Sequence, residues 1–250
     1  MAQDRTDAQD YSATSRTAAF VDSHFVPGQY EPNYAYPLLV LLHGRGADED
    51  QLVRAMPALS RRNYVGLGLR GPIPVHKHDR QVGYSWGPEF DLPARGSFRN
   101  NTSALSDAER VRRMLLDPET DPMMRLEDGV FRGVREIRSL LHVHSERIFL
   151  VGHGEGAAAA YRLGLSFPDR FAGVVAINGW LPSGFRALSR LHACRDFPVL
   201  VVHGAWNTRV PVKHARRDVA TLRAGGLRVA FQAYPCNHRL NSDILADVDT

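Results

Sequence analysis

The chain has 250 residues, 44% of them hydrophobic and 23% charged, with a net charge of +4. Length and apolar content suit one globular domain with a sizeable core. The basic residues are scattered, in pairs such as Arg112-Arg113 and Arg216-Arg217 with no stripe of interleaved aromatics. That argues against a nucleic-acid partner, and no apolar run approaches the length of a membrane span.

Residues 1–16 read as a disordered or extended tail, with the folded domain over 17–250. The N-terminal stretch is polar and has no apolar leader core, and Cys194 and Cys236 are too few for a disulfide framework. A reduced, cytoplasmic chain is the expectation. Lysine occurs only at Lys77 and Lys213, so the positive charge is nearly all arginine, a composition in keeping with a GC-rich bacterial genome. A short edge strand is expected over 18–21. Residues 37–42 (PLLVLL) form an apolar run of strand length that meets His43-Gly44-Arg45-Gly46. A helix over 48–59 would complete a βα unit. The next strand is expected over 64–69. Residues 73–101 show no clear period and are read as a long loop. Helices are expected over 106–116 and over 123–142, the second from Leu126, Val130, Val134, Ile137 and Leu141 at helical spacing. Strands over 171–177, 198–203 and 227–234 alternate with helices over 185–192, 212–224 and 241–248. This alternation predicts an α/β fold, a doubly wound, mostly parallel sheet with helices on both faces, in a single domain. Ligands in such folds bind beyond the carboxyl ends of the strands.

The centre of the chain is Arg147 to Ala160, RIFLVGHGEGAAAA. An apolar run meets Gly152-His153-Gly154-Glu155-Gly156 and then a run of alanines. That is a buried strand, a tight turn, and a helix whose first turn carries almost no side chains. This strand-turn-helix resembles the nucleophile elbow of α/β-hydrolases. The elbow holds its middle residue in a strained conformation at the top of the sheet. A nucleophile needs Ser, Cys or Asp there, and Gly154 has no side chain.

From about residue 37 onward the chain resembles the carboxylesterase/phospholipase family, which includes acyl-protein thioesterases. Four blocks carry the resemblance: LLHGRG, GHGEGAAAAYRLGLSFPDRFAGVVAINGWLP, VLVVHGAWNTRVP and YPCNH. The resemblance implies a triad in the chain order nucleophile, acid, histidine. It falls here on Gly154, on Asn207 where the family carries Asp, and on His238, the one position that keeps its residue. It also implies an oxyanion hole from the backbone N–H groups of Arg45 and Glu155. Trp86, Trp180 and Leu181 fall where the family lines its acyl pocket, with ordinary packing as the other reading of each Trp. No metal and no cofactor is implied. The expected partner is a small acyl or ester ligand, with oligomeric state open. Without Ser no acyl-enzyme can form, and an Asn at the orienting position gives the His the wrong tautomer. The resulting expectation is a pseudo-hydrolase. The alternatives are a weak hydrolase in which His238 activates water, and one that uses Ser85 as an unusual nucleophile.

Gly83-Tyr84-Ser85-Trp86-Gly87 matches G-x-S-x-G as written but lacks the flanking strand and helix that give the motif meaning. Ser85 is read as a pocket-rim residue. Cys236, two before His238, is read as inert. The pairs His76/His78 and His142/His144 lack the partners of a recognisable zinc spacing. His43 and His203 are read as parts of strand-end turns, and His153 as a residue the family tolerates before the elbow centre. Glu155 replaces the Gln common in the family. It is either a carboxylate at the mouth of the oxyanion hole, hostile to an anionic intermediate, or an exposed first-turn Glu favoured by the helix dipole.

Overall fold

A computed structural model describes residues 14–17, 20–90, 122–182 and 193–246. Eight strands form one sheet in the order β1-β2-β4-β3-β7-β8-β9-β10. They are β1 (Thr14–Thr17), β2 (Phe20–Phe25), β3 (Tyr36–Leu42), β4 (Val65–Leu69), β7 (Val143–His153), β8 (Gly173–Ile177), β9 (Pro198–Gly204) and β10 (Arg228–Tyr234). Neighbours from β4 to β10 are parallel, and β2 and β1 join antiparallel at one edge. The expected α/β fold is the one observed.

Every residue of β3 is buried, as a strand covered on both faces requires. Its side chains alternate between two cores. Leu38, Val40 and Leu42 enter one, Leu39 and Leu41 the other. The first core is closed by α3 (Pro122–Leu140), α4 (Glu155–Ser166) and α5 (Val212–Ala224). The second is closed by α1 (Asp50–Val53), α2 (Met56–Leu59) and α6 (Ser242–Ala246). The helix expected over 48–59 is two short helices, with Pro57 near the start of the second, where its missing N–H costs nothing. No helix among the described residues is long and apolar enough to cross a membrane.

One expectation needs correction. The stretch 73–101 is not loop throughout: β5 (Ile73–Lys77) and β6 (Arg80–Ser85) pair as a hairpin. Its two-residue turn is His78-Asp79, both with positive φ (48° and 60°). Hairpin turns of this kind usually show Gly or Asn, so the sequence carried no signal for it. The strand β1 begins at Thr14, within the stretch expected to be a disordered or extended tail. The helices expected over 106–116 and 185–192 lie outside the described residues.

Ten of the twelve residues of α4 are buried, which explains its alanines: the helix starts between β3 and β8 with no room for longer side chains. At Gly156 a β-carbon would fall on the carbonyl oxygens of Leu42 and His43. Gly156→Ala should therefore be destabilised by about 3 kcal/mol or more, read as a lowered urea midpoint. Gly28, with nothing within 4 Å of its β-carbon position, is the control: Gly28→Ala should leave the midpoint unchanged or raise stability by up to about 1 kcal/mol.

Candidate functional site

Strand β7 runs directly into Gly154, the N-cap of α4, with φ 57° and ψ −114°. An L-residue adopts this conformation only under strain. The turn is fixed by Gly154 N donating to Ile177 O at 2.9 Å and by Ala157 N donating to Gly154 O at 3.2 Å. The backbone thus keeps the shape of a nucleophile elbow with no side chain on it. A β-carbon on Gly154 would lie 3.2 Å from His238 Nε2 and 3.5 Å from its Cε1. The imidazole edge stands against the space a side chain would need.

Asn207, in the turn after β9, completes the constellation that the sequence placed at Gly154, Asn207 and His238. Its Oδ1 accepts from Arg209 N and Val210 N, both at 3.0 Å. These two donors fix which end of the amide is oxygen. Its Nδ2 therefore donates to His238 Nδ1 at 3.0 Å and to Asn178 Oδ1 at 3.1 Å. Asn178 Oδ1 also accepts from Gly204 N at 2.8 Å. Asn178 escaped the sequence reading. Its signal was an Asn just after a strand, in INGW, where its φ of 55° suits Asn better than most residues.

A neutral imidazole carries one proton. With Nδ1 accepting from Asn207, that proton is on Nε2. His238 stays neutral because burial lowers its pKa, helped by His153, Arg209 and His203, to about 3. A triad base needs the opposite arrangement: Nδ1–H donated to a carboxylate, and a bare Nε2 to take the nucleophile's proton. His153 lies beside His238, with ring centroids 4.8 Å apart, and its Nε2–H donates to His238 O at 2.9 Å. Burial outweighs that bond and lowers its pKa to about 4.

Glu155 is not the exposed first-turn residue of one expectation. It is buried, with its Oε1 accepting from Ser85 Oγ at 2.7 Å and from Arg45 Nη1 at 3.3 Å. Arg45 Nη1 also reaches Ser85 Oγ at 3.3 Å. The hairpin β5–β6 thus delivers Ser85 to Glu155 and leaves it 2% exposed, beneath the surface rather than on a pocket rim. Trp86, expected at the pocket wall, is wholly buried: its indole donates to His43 O at 2.8 Å and its ring packs on His43. Trp180 and Leu181 are buried in the loop after β8, and Leu181 N donates to Asp218 Oδ2 at 2.8 Å. That loop adjoins the elbow, since a β-carbon on Gly179 would lie 2.9 Å from Gly154 O. The turn of Arg45 adjoins it too, with Gly44 Cα 4.0 Å from the β-carbon position of Gly154.

The other candidates are taken up locally. Burial and Asp243 push the Cys236 thiol pKa up, away from thiolate chemistry. His142 Nδ1 donates to Pro32 O and His144 Nδ1 accepts from Glu146 N. His43 and His203 are buried in strand-end turns, His43 Nε2 accepting from Gly71 N and His203 Nε2 donating to Val210 O. Among the described residues, no group of three or more His, Cys, Asp or Glu is arranged to hold a metal ion.

The family model described as Phospholipase/Carboxylesterase matches residues 31–250. A probable inactive carboxylesterase of Oryza sativa subsp. japonica is 26% identical over 124 residues, 47% of this chain and 51% of that protein. The putative esterase NocK of Nocardia uniformis subsp. tsuyamanensis is 25% identical over 80% of this chain and 48% of its own length. The chain thus spans about half the length of these two relatives. Acyl-protein thioesterase 1 of Mycosarcoma maydis is 26% identical over 79% of this chain and 81% of its own. A carboxylesterase from Mesorhizobium loti shares the fold, with a TM-score of 0.66 and 18% identity over 95% of this chain and 96% of that one.

The depressed histidines set a pH dependence. Unfolded, both titrate near 6.5; folded, His153 titrates at about 4 and His238 at about 3. The unfolded chain binds more protons between these values, so the stability they contribute is full above pH 6.5 and is lost as pH falls toward 4. The slope is up to about 1.4 kcal/mol per pH unit for each histidine, less for the part-exposed His238. Urea denaturation from pH 7 to 4 should show the fall, and His153→Gln should flatten it.

Proposed function

This chain belongs to the phospholipase/carboxylesterase family, and from that premise we propose that it is a pseudo-hydrolase. On this reading it keeps the fold and site of an ester hydrolase without the chemistry, in a reducing cytoplasm, and holds a small acyl or ester-like ligand or a partner. The observation that carries it is Gly154: an elbow in its strained conformation, facing His238, with no atom to attack a carbonyl. The oxyanion amides of Arg45 and Glu155 are backbone groups and do not depend on that loss.

The tautomer of His238 speaks against hydrolysis by activated water. An Nε2 that carries the proton donates to water and takes no proton from it. Ser85 is buried and bonded to Glu155, not to His238, which speaks against its use as a nucleophile.

Fluorophosphonate labelling followed by mass spectrometry tests this reading. The wild-type protein should carry no adduct under conditions that label an active relative; an adduct on Ser85 or any other serine overturns the reading. Gly154→Ser alone should stay near background with p-nitrophenyl esters, because Asn207 holds the imidazole in the wrong tautomer. In serine proteases the equivalent acid-to-amide change lowers kcat by about 10⁴. Gly154→Ser with Asn207→Asp should exceed Gly154→Ser by about 10² or more. A folded but inert double variant would sink the claim that the remaining site is hydrolase-like.

A further inference from the structure

The pseudo-hydrolase reading leaves the ligand open, and the hydrogen-bond polarity of the site narrows it. In an active triad the imidazole nitrogen facing the elbow is an acceptor. Here Asn207 has reversed it. Oδ1 of Asn207 is fixed by two backbone donors, its Nδ2–H occupies His238 Nδ1, and the remaining proton is on Nε2, 3.2 Å from where a β-carbon on Gly154 would be. Among the described residues outside 153–155, no oxygen lies closer than 4.0 Å to that β-carbon position.

A second donor lies on the adjoining loop. The indole Nε1–H of Trp180 is buried and finds no hydrogen-bond partner among the described residues. An unsatisfied buried donor costs about 1–3 kcal/mol, a cost that an acceptor atom of a ligand removes. The charges agree in sign. Arg209, exposed on the Asn207 turn, holds positive potential at His238 and His153. Glu155, the acidic residue that follows Gly154, accepts from Ser85 Oγ and Arg45 Nη1 through its Oε1. A carboxylate, the group that ester hydrolysis leaves on the acyl part, offers only acceptors and gains from a positive field.

We propose that the Gly154 site binds the carboxylate of a small monocarboxylic acid, one oxygen accepting from His238 Nε2–H in the place a serine hydroxyl would take. This rests on the pseudo-hydrolase reading, since an occupied serine position would exclude the ligand oxygen. The protein would then hold the acid that ester hydrolysis releases, and discriminate against the ester. The geometry requires no covalent step.

The test uses the wild-type protein with sodium butyrate and sodium octanoate, each compared with its methyl ester. Long-range proton–nitrogen NMR should show His238 protonated at Nε2 and bare at Nδ1. The acid should shift the Nε2 signal and bind at least tenfold tighter than its ester, in line with a charge-assisted hydrogen bond. His238→Phe, which keeps a ring against His153 and removes the donor, should bring the acid-to-ester ratio near one. Asn207→Asp, which returns the proton to Nδ1 and adds a negative charge, should reverse the preference. A bare Nε2 in the wild type, an ester that binds as well as the acid, or a ratio unmoved in folded His238→Phe each overturns the proposal. Ester binding in those cases leaves the pseudo-hydrolase reading intact. A fluorophosphonate adduct, by contrast, fells that reading and this one with it.

Discussion

The site depends on the close passage of two backbones, the start of α4 and the end of β3. Gly156 lies against the carbonyls of Leu42 and His43, and Gly152 against Gly156 itself. No side chain fits between them, so the helix can begin in only one place. That fixes the direction in which β7 leaves the sheet, and with it the conformation at residue 154. The positive φ there is imposed by the neighbours and by the bond from Gly154 N to Ile177 O, not chosen by the residue. Losing a serine therefore removes the reactive atom and about 1–3 kcal/mol of strain while the elbow keeps its shape.

A second constraint is the amide at residue 207. Its oxygen accepts two backbone N–H groups and its nitrogen satisfies two acceptors, so all its hydrogen-bonding capacity is used. A carboxylate in the same position would set an oxygen 3.1 Å from Asn178 Oδ1, which already accepts from Gly204 N. The environment thus favours the amide over the acid that the family carries. Buried acceptors facing each other without a proton are costly, and Asn178 supplies the acceptor that only an amide can use.

The sheet and its helices were legible because their signals are local and strong. The helix over 212–224 is bounded by Pro211 before and Gly225-Gly226 after, and β3 and β7 are apolar runs that end in glycine turns. The elbow could be read from its own stretch, and Asn207 and His238 from the separate blocks VLVVHGAWNTRVP and YPCNH. The hairpin β5–β6 could not, because its turn is made by His78 and Asp79, and because what holds it is tertiary. Tyr84 exchanges backbone bonds with Gly46 and Ala47, and Arg70 lies over the Tyr84 ring. The partners of Glu155 were hidden for the same reason: Ser85 is seventy positions away in sequence and arrives only once the hairpin docks. The depth of Trp86 was not legible either, because the bond to His43 O that takes it inward joins residues 43 apart.

The two altered positions are better explained together than separately. Loss of the serine alone would leave a His–Asp pair with nothing to activate, and loss of the acid alone would leave a serine beside an imidazole that cannot accept its proton. In the pair seen here, His238 has the proton on the side of the vacated serine position, and its other nitrogen is fully engaged by Asn207. Decay without constraint would scatter unsatisfied groups through the site, the replaced positions included. Instead Asn207 is satisfied throughout. Among the described residues, Asn178 Nδ2 and Trp180 Nε1, in the loop that packs on Gly154, are buried donors without partners, as are the hydroxyls of Ser23 and Tyr234 elsewhere in the fold. The fully satisfied amide at residue 207 is an ordered hydrogen-bond arrangement and not the remnant of a broken one. The glycine fits that arrangement, since a side chain at residue 154 would meet the edge of His238.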